Sequence, residues 1–173
     1  MRSILFTIAL IITTGVIAQN KLADRIYYGG GFGFSAGSNQ TNLSLAPQLG
    51  YKITERFSAG LGISYQYVKI KNPDISINNY GWSVFTRYNV ISQFFAYSEF
   101  ERLSFEYVVQ VSPERKTREG YNSLLVGAGY AEQLSSKASF SLMALYNVLY
   151  DATEPSPYTS PWVIRAGVGV GIF

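Results

Sequence analysis

Residues 162–173 read WVIRAGVGVGIF. The even positions are all apolar: Trp162, Ile164, Ala166, Val168, Val170 and Ile172. The odd positions between them carry Val163, Arg165, Gly167, Gly169 and Gly171. A period of two is the signature of a strand with two unlike faces. Here one face is bulky enough for a core and the other is nearly bare. The fold turns on which medium the bulky face meets.

The same alternation recurs along the chain. IYYGGGFGFSA (26–36) sets Ile26, Tyr28, Phe32 and Phe34 against glycines. LSLAPQLGYKI (43–53), FSAGLGISYQY (57–67) and YGWSVFTRYNV (80–90) repeat the pattern. Further strands fit 94–107, 120–132 and 138–150, and the last is 160–173, which makes an all-β set of eight. The connections alternate in length. Short ones are predicted at 54–56, 91–93 and 135–137, and long polar ones at 37–42, 71–79, 108–119 and 151–159. Antiparallel strands joined in this way collect the short turns at one end of a barrel and the long loops at the other.

Composition narrows the class. The chain has 16 Gly, 14 Tyr and 11 Phe, and only 14% of its residues are charged, against about 25% in ordinary soluble proteins. Mean hydropathy is nonetheless only +0.08, too low for a bundle of membrane helices but natural for strands with one apolar face. There is no Cys and no His, which removes a thiol nucleophile and the commonest general base and metal ligand. We expect no cofactor and no metal site. MRSILFTIALIITTGVIAQN (1–20) combines a basic Arg2, an apolar run over 4–12 and a small-residue site at Val16-Ile17-Ala18. It predicts a signal peptide over 1–18 and a barrel domain over 19–173. Cleavage leaves the charge too near neutral to argue for nucleic acid.

Two eight-stranded barrels compete. A lipocalin-like barrel points its large apolar residues inward, and a membrane barrel points them out. Aromatic residues decide between them. Tyr51, Phe57, Tyr88, Phe94, Tyr130 and Phe140 lie beside the short turns. Tyr67, Tyr80, Trp82, Tyr107, Tyr121, Tyr150 and Trp162 lie near the long loops. Two such rings match the girdles at the two lipid–water interfaces. The expectation is a transmembrane barrel with a lumen of small residues and a few polar ones: Gln48, Gln66, Arg87, Glu99, Glu101, Asn147 and Arg165. Arg87 and Glu99 flank one short turn, which predicts a lumen charge network of Arg87, Glu99, Glu101 and Arg165. Its role is expected to be a structural plug, with a narrow pore for small solutes or ions as the alternative.

At this point the chain resembles the small eight-stranded outer-membrane barrels of Gram-negative bacteria, of OmpA/OmpX type. The resemblance rests on strand number, loop asymmetry and a last strand ending in Phe173. It implies an integral outer-membrane location, contact with outer-membrane lipid and lipopolysaccharide, and handling by the barrel-assembly machinery. Phe173 departs from the pattern by sharing the parity of the glycines.

No motif points to catalysis. GFSAG (33–37) matches the nucleophile-elbow pattern around Ser35, but that motif needs a strand-to-helix turn and a His. The glycines of 29–37 lack the register of a phosphate loop. A lipid-modifying enzyme is therefore a distant third reading. SPERKTREG (112–120) is the most charged stretch. It is expected as a loop in which Arg115, Lys116 and Arg118 could meet an anionic partner. NQT (39–41) and NLS (42–44) match glycosylation sequons, as short patterns often do. The expected role is non-enzymatic: an envelope structural protein, a complex subunit, or an adhesin presenting four loops.

Overall fold

The computed structural model describes residues 24–110, 115–154, 156–158 and 160–171. The predicted signal peptide and Phe173 lie outside them. Eight strands follow in order: β1 (Ile26–Ala36), β2 (Gln40–Lys52), β3 (Phe57–Lys71), β4 (Asp74–Asn89), β5 (Phe94–Gln110), β6 (Arg115–Gln133), β7 (Ala138–Asn147) and β8 (Trp162–Val170). Each pairs antiparallel with its neighbours, and β8 returns to β1, so the sheet is a closed up-and-down barrel. The described residues contain no helix.

The three short turns share one geometry. Ile53 N–H donates to the Phe57 carbonyl, Val90 to Phe94 and Leu134 to Ala138, each at 2.9 Å. In two of them a hydroxyl caps the exposed amides. Thr54 Oγ1 accepts from the Phe57 amide at 2.9 Å, and Ser135 Oγ accepts from the Ala138 amide at 3.1 Å.

The opposite end differs from the expected long loops. Strands β3 to β6 continue well past the predicted boundaries, and the supposed loop 71–79 is largely ladder. Ile70 pairs with Ile75 and Lys71 with Asp74, leaving only Asn72 and Pro73 as the turn. Arg115, Lys116 and Arg118 likewise begin β6 instead of forming a loop tip. Over 68–79 the alternation persists with its faces exchanged, and at 115–119 polar residues stand on both faces, yet the backbone ladder needs only continued pairing. The long connection that remains is 148–161, on the side where β7 and β8 are short.

Facing follows the predicted parity. Leu61, Ile63, Phe32 and Ile164 stand exposed outside, while Arg87, Glu99, Glu101 and Asn147 are buried inside. Level with Tyr80 and Trp82 this polarity reverses. Above that level the outer face of β3 carries Lys69 and Lys71. That of β4 carries Asn78, Ser76 and Asp74, and that of β5 carries Arg102, Ser104 and Glu106. The inner face becomes apolar, with Ile75 and Phe105 buried. Tyr107 and Tyr121 therefore leave the expected aromatic ring. Both have inward parity, and Phe105 packs against each, at 5.8 Å and 6.3 Å between centroids. Outward aromatics meet in pairs on the outer face, Trp82 with Phe100, Phe94 with Tyr130, and Tyr146 with Trp162.

The lumen is not lined by small residues alone. Phe85, Phe95, Tyr97, Leu125 and Leu145 fill it from β4 to β7, facing glycines on β1 and β8. Three inward rings lie over the glycine directly opposite in register: Tyr27 over Gly50, Phe85 over Gly60, and Phe95 over Gly129. A Cβ at Gly60 would overlap the Phe85 ring and the Leu49 carbonyl. Gly60→Ala should therefore lower unfolding free energy by about 1–3 kcal/mol through overpacking. Gly37→Ala, where the added carbon meets its nearest neighbour at an ordinary 3.5 Å, should be neutral in the same denaturant titration.

Candidate functional site

Inward alternation on β5 places Tyr97, Glu99 and Glu101 one above another, and β8 brings Arg165 to them from across the barrel. Arg165 donates from Nη1 to Glu99 Oε2, and its Nη2 lies 3.6 Å from Glu101 Oε2. Tyr158, from the 148–161 connection, turns into the lumen. Its hydroxyl donates to Glu101 and accepts from Arg165 Nη2 at 3.3 Å. From below, Tyr97 donates to Glu99 at 3.3 Å and accepts from Gln48 Nε2 at 3.0 Å. One guanidinium thus holds two carboxylates, and two phenols close the remaining sites. Buried charge is tolerable only when paired and hydrogen-bonded in this way.

Arg87 does not join this cluster. It is buried one level lower, with its guanidinium carbon 3.7 Å above the Phe95 ring and Nε donating to Asn89 Oδ1 at 2.9 Å. Among the described residues it makes no ion pair. The reason is register: Arg87 stands opposite Tyr97, and Glu99 stands opposite Phe85. Flanking the same turn does not bring the two charges together, because Glu99 is engaged from the far wall.

The other polar residues read from the sequence have local roles. Gln66 accepts from Asn79 Nδ2 at 3.0 Å across β3 and β4. Asn147 ends β7, and its Oδ1 accepts the amides of Leu124 and Leu149 at 3.2 Å and 3.1 Å. Tyr27, Tyr97 and Tyr158 were missed as lumen polar groups. Parity alone places Tyr27 and Tyr97 inside, but nothing in the sequence of an irregular connection points Tyr158 inward.

At the upper rim, Lys116 Nζ donates to the Ser76 carbonyl at 2.7 Å and Arg118 Nη2 to the Asn78 carbonyl at 2.9 Å. Arg118 also lies 3.4 Å from Glu106 and 4.6 Å from the Tyr80 ring centre. Arg115 is exposed at the start of β6. In the 148–161 connection, the Thr153 backbone amide and hydroxyl both donate to Asp151. They hold its carboxyl below the usual aspartate range. Ser35 sits near the end of β1 opposite Asn42, in extended backbone and not at an elbow. Among the described residues no three acidic side chains converge as a cation site would need.

The molecule is thus a closed eight-stranded antiparallel barrel with an apolar outer belt and a charged lumen, in which Arg165 is paired with Glu99 and Glu101 while Arg87 is not paired among the described residues. Among solved structures it is similar to the N-terminal β-barrel domain of Pseudomonas aeruginosa OprF. The TM-score is 0.47 and the identity 15%, over 85% of this chain and 96% of that one. No protein-family model and no curated protein matches the chain.

Proposed function

We propose that this protein is a non-enzymatic, integral β-barrel of a Gram-negative outer membrane, exported by its N-terminal signal peptide and plugged by its lumen side chains. The polarity reversal at Tyr80 and Trp82 carries this reading. Over the lower barrel the outer face is apolar and the inner face charged; above that level the two exchange. A barrel wholly in water has no reason to change its outer face at one height. A barrel that leaves hydrocarbon at that height must do so, since a lipid-facing charge costs about 2–4 kcal/mol at the midplane and little near the interface. β2 to β6, at 13 to 19 residues, exceed the roughly 9–11 residues that a tilted strand needs to cross, and β1, β7 and β8, at 11, 10 and 9, match that length.

On this reading the hairpins of β3 to β6 stand above the outer leaflet, where Arg115, Lys116 and Arg118 meet anionic lipopolysaccharide. The upper connections then present the surface through which the protein serves as envelope component, complex subunit or adhesin. The barrel-assembly machinery inserts it.

The Arg165–Glu99–Glu101–Tyr158 cluster crosses the lumen, and an eight-stranded interior is just wide enough to be filled by side chains or to hold one small ligand, so one such cluster is enough to block it. In planar bilayers the wild-type protein should give no steady conductance. Reproducible single-channel steps whose ion selectivity changes with Arg165→Glu would support the pore reading instead.

A further inference from the structure

We propose that the lower lumen is a pocket for one long-chain monocarboxylate, which enters sideways through the seam between β1 and β8; this rests on the membrane reading above. The seam is short. β1 pairs with β8 only from Tyr28 to Gly30, against Val170 to Val168, although β1 runs on to Ala36 and β8 begins at Trp162. Elsewhere neighbouring strands ladder along most of their shared length. Continued in the same register, Phe32 would face Ala166 and Phe34 would face Ile164.

A cavity of about 360 Å³ opens behind this seam. On β4, β5 and β7 only inward residues line it, among them Phe85, Tyr97 and Met143. On β1 and β8 residues of both parities line it, including the outward Phe32, Ile164 and Val168. The cavity thus lies against the backbone of both strands along the stretch where their ladder has stopped. Its volume is at the small end for ligand sites, which start near roughly 300 Å³. That suits one chain with a compact head and excludes a whole two-chain lipid.

Arg87 supplies the head-group chemistry. It lines the cavity, is 6% exposed, and has no carboxylate partner among the described residues. A single buried guanidinium calls for one negative charge, and it matches a carboxylate with two parallel hydrogen bonds. The other cavity cation, Arg165, already faces two carboxylates, so a doubly charged phosphate finds no balance there. Phe85, Phe95 and Met143 provide apolar wall for the chain.

The test places the full protein in phosphatidylcholine nanodiscs with a palmitate bearing a diazirine, photolyses it, and maps the label by mass spectrometry. We expect label on inward residues such as Tyr97 and Met143 as well as on outward Ile63 and Val84. Label confined to outward residues overturns the pocket and leaves the membrane reading standing. Failure to enter nanodiscs overturns that reading, and lateral entry with it. Arg87→Gln should reduce inward palmitate labelling about tenfold, with outward label unchanged. Arg87→Lys should retain it, and a diazirine-bearing hexadecanol should be indifferent to both variants. Equal inward labelling by palmitate in Arg87→Gln overturns the carboxylate assignment. The chain has no Cys, so Phe32→Cys with Ala166→Cys can lock the seam as a disulfide. Inward labelling should fall on oxidation and return on reduction, and labelling that persists in the locked protein overturns lateral entry.

Discussion

Arg165→Met will destabilise the barrel by about 3–5 kcal/mol, because it strands Glu99 and Glu101 in a confined lumen with no cation beside them. Both carboxylates are almost fully buried, and Arg165 is their sole cationic partner among the described residues. The hydrogen bonds from Tyr97 and Tyr158 remain but cannot neutralise two negative charges. Adding Glu99→Gln should recover part of the loss, since one stranded charge is then gone. The coupling energy of that cycle isolates the pair. The corresponding cycle between Arg87 and Glu99 should show far weaker coupling, as the two make no ion pair. Urea titrations of the refolded protein in lipid vesicles, followed by gel mobility before and after boiling, measure all of these variants. Near-additive losses for Arg165 with Glu99 would show that the cluster does not act as a unit.

The second large effect is expected on the outer face. Leu61 and Val84 stand opposite each other on β3 and β4, exposed, in the middle of the apolar belt. On the proposed membrane reading, Leu61→Arg or Val84→Arg should cost about 2–4 kcal/mol or prevent assembly, because the charge would lie near the hydrocarbon midplane. Lys69→Arg, on the same face of β3 but above Tyr80, should be close to neutral. If arginine at Leu61 were tolerated as well as arginine at Lys69, the outer belt would not be facing lipid.

Much of this architecture is legible in the sequence, for a definite reason. Successive strand residues point to opposite faces whatever their neighbours do, so a period-two pattern assigns Leu61 outward and Arg87 inward before any contact is known. The lower boundaries are equally clear, because Thr54 and Ser135 sit where polar turn residues interrupt apolar alternation. The upper boundaries are hidden by the reversal itself. Residues 68–79 carry polar groups outward and isoleucines inward, so a pattern of outward apolar residues no longer finds the strand. The site was half legible. Parity put Arg87, Glu99, Glu101 and Arg165 in one lumen, but which of them touch depends on register around the whole barrel. Glu99 meets Arg165 from 66 positions away, while Arg87, much nearer in sequence, settles on Phe95. Tyr158 reaches the cluster from an irregular connection, where no periodicity guides a reading.

The central claim is that the bulky outer face meets lipid. The chain's two tryptophans report on it directly, since Trp82 and Trp162 are both outward and exposed. The measurement is tryptophan fluorescence of the protein reconstituted in vesicles, with bromine-bearing phospholipids and aqueous iodide as competing quenchers. Strong quenching by the brominated lipid, with a blue-shifted emission and weak quenching by iodide, is the predicted result. Efficient iodide quenching of a protein that stays in the aqueous phase without detergent would contradict it.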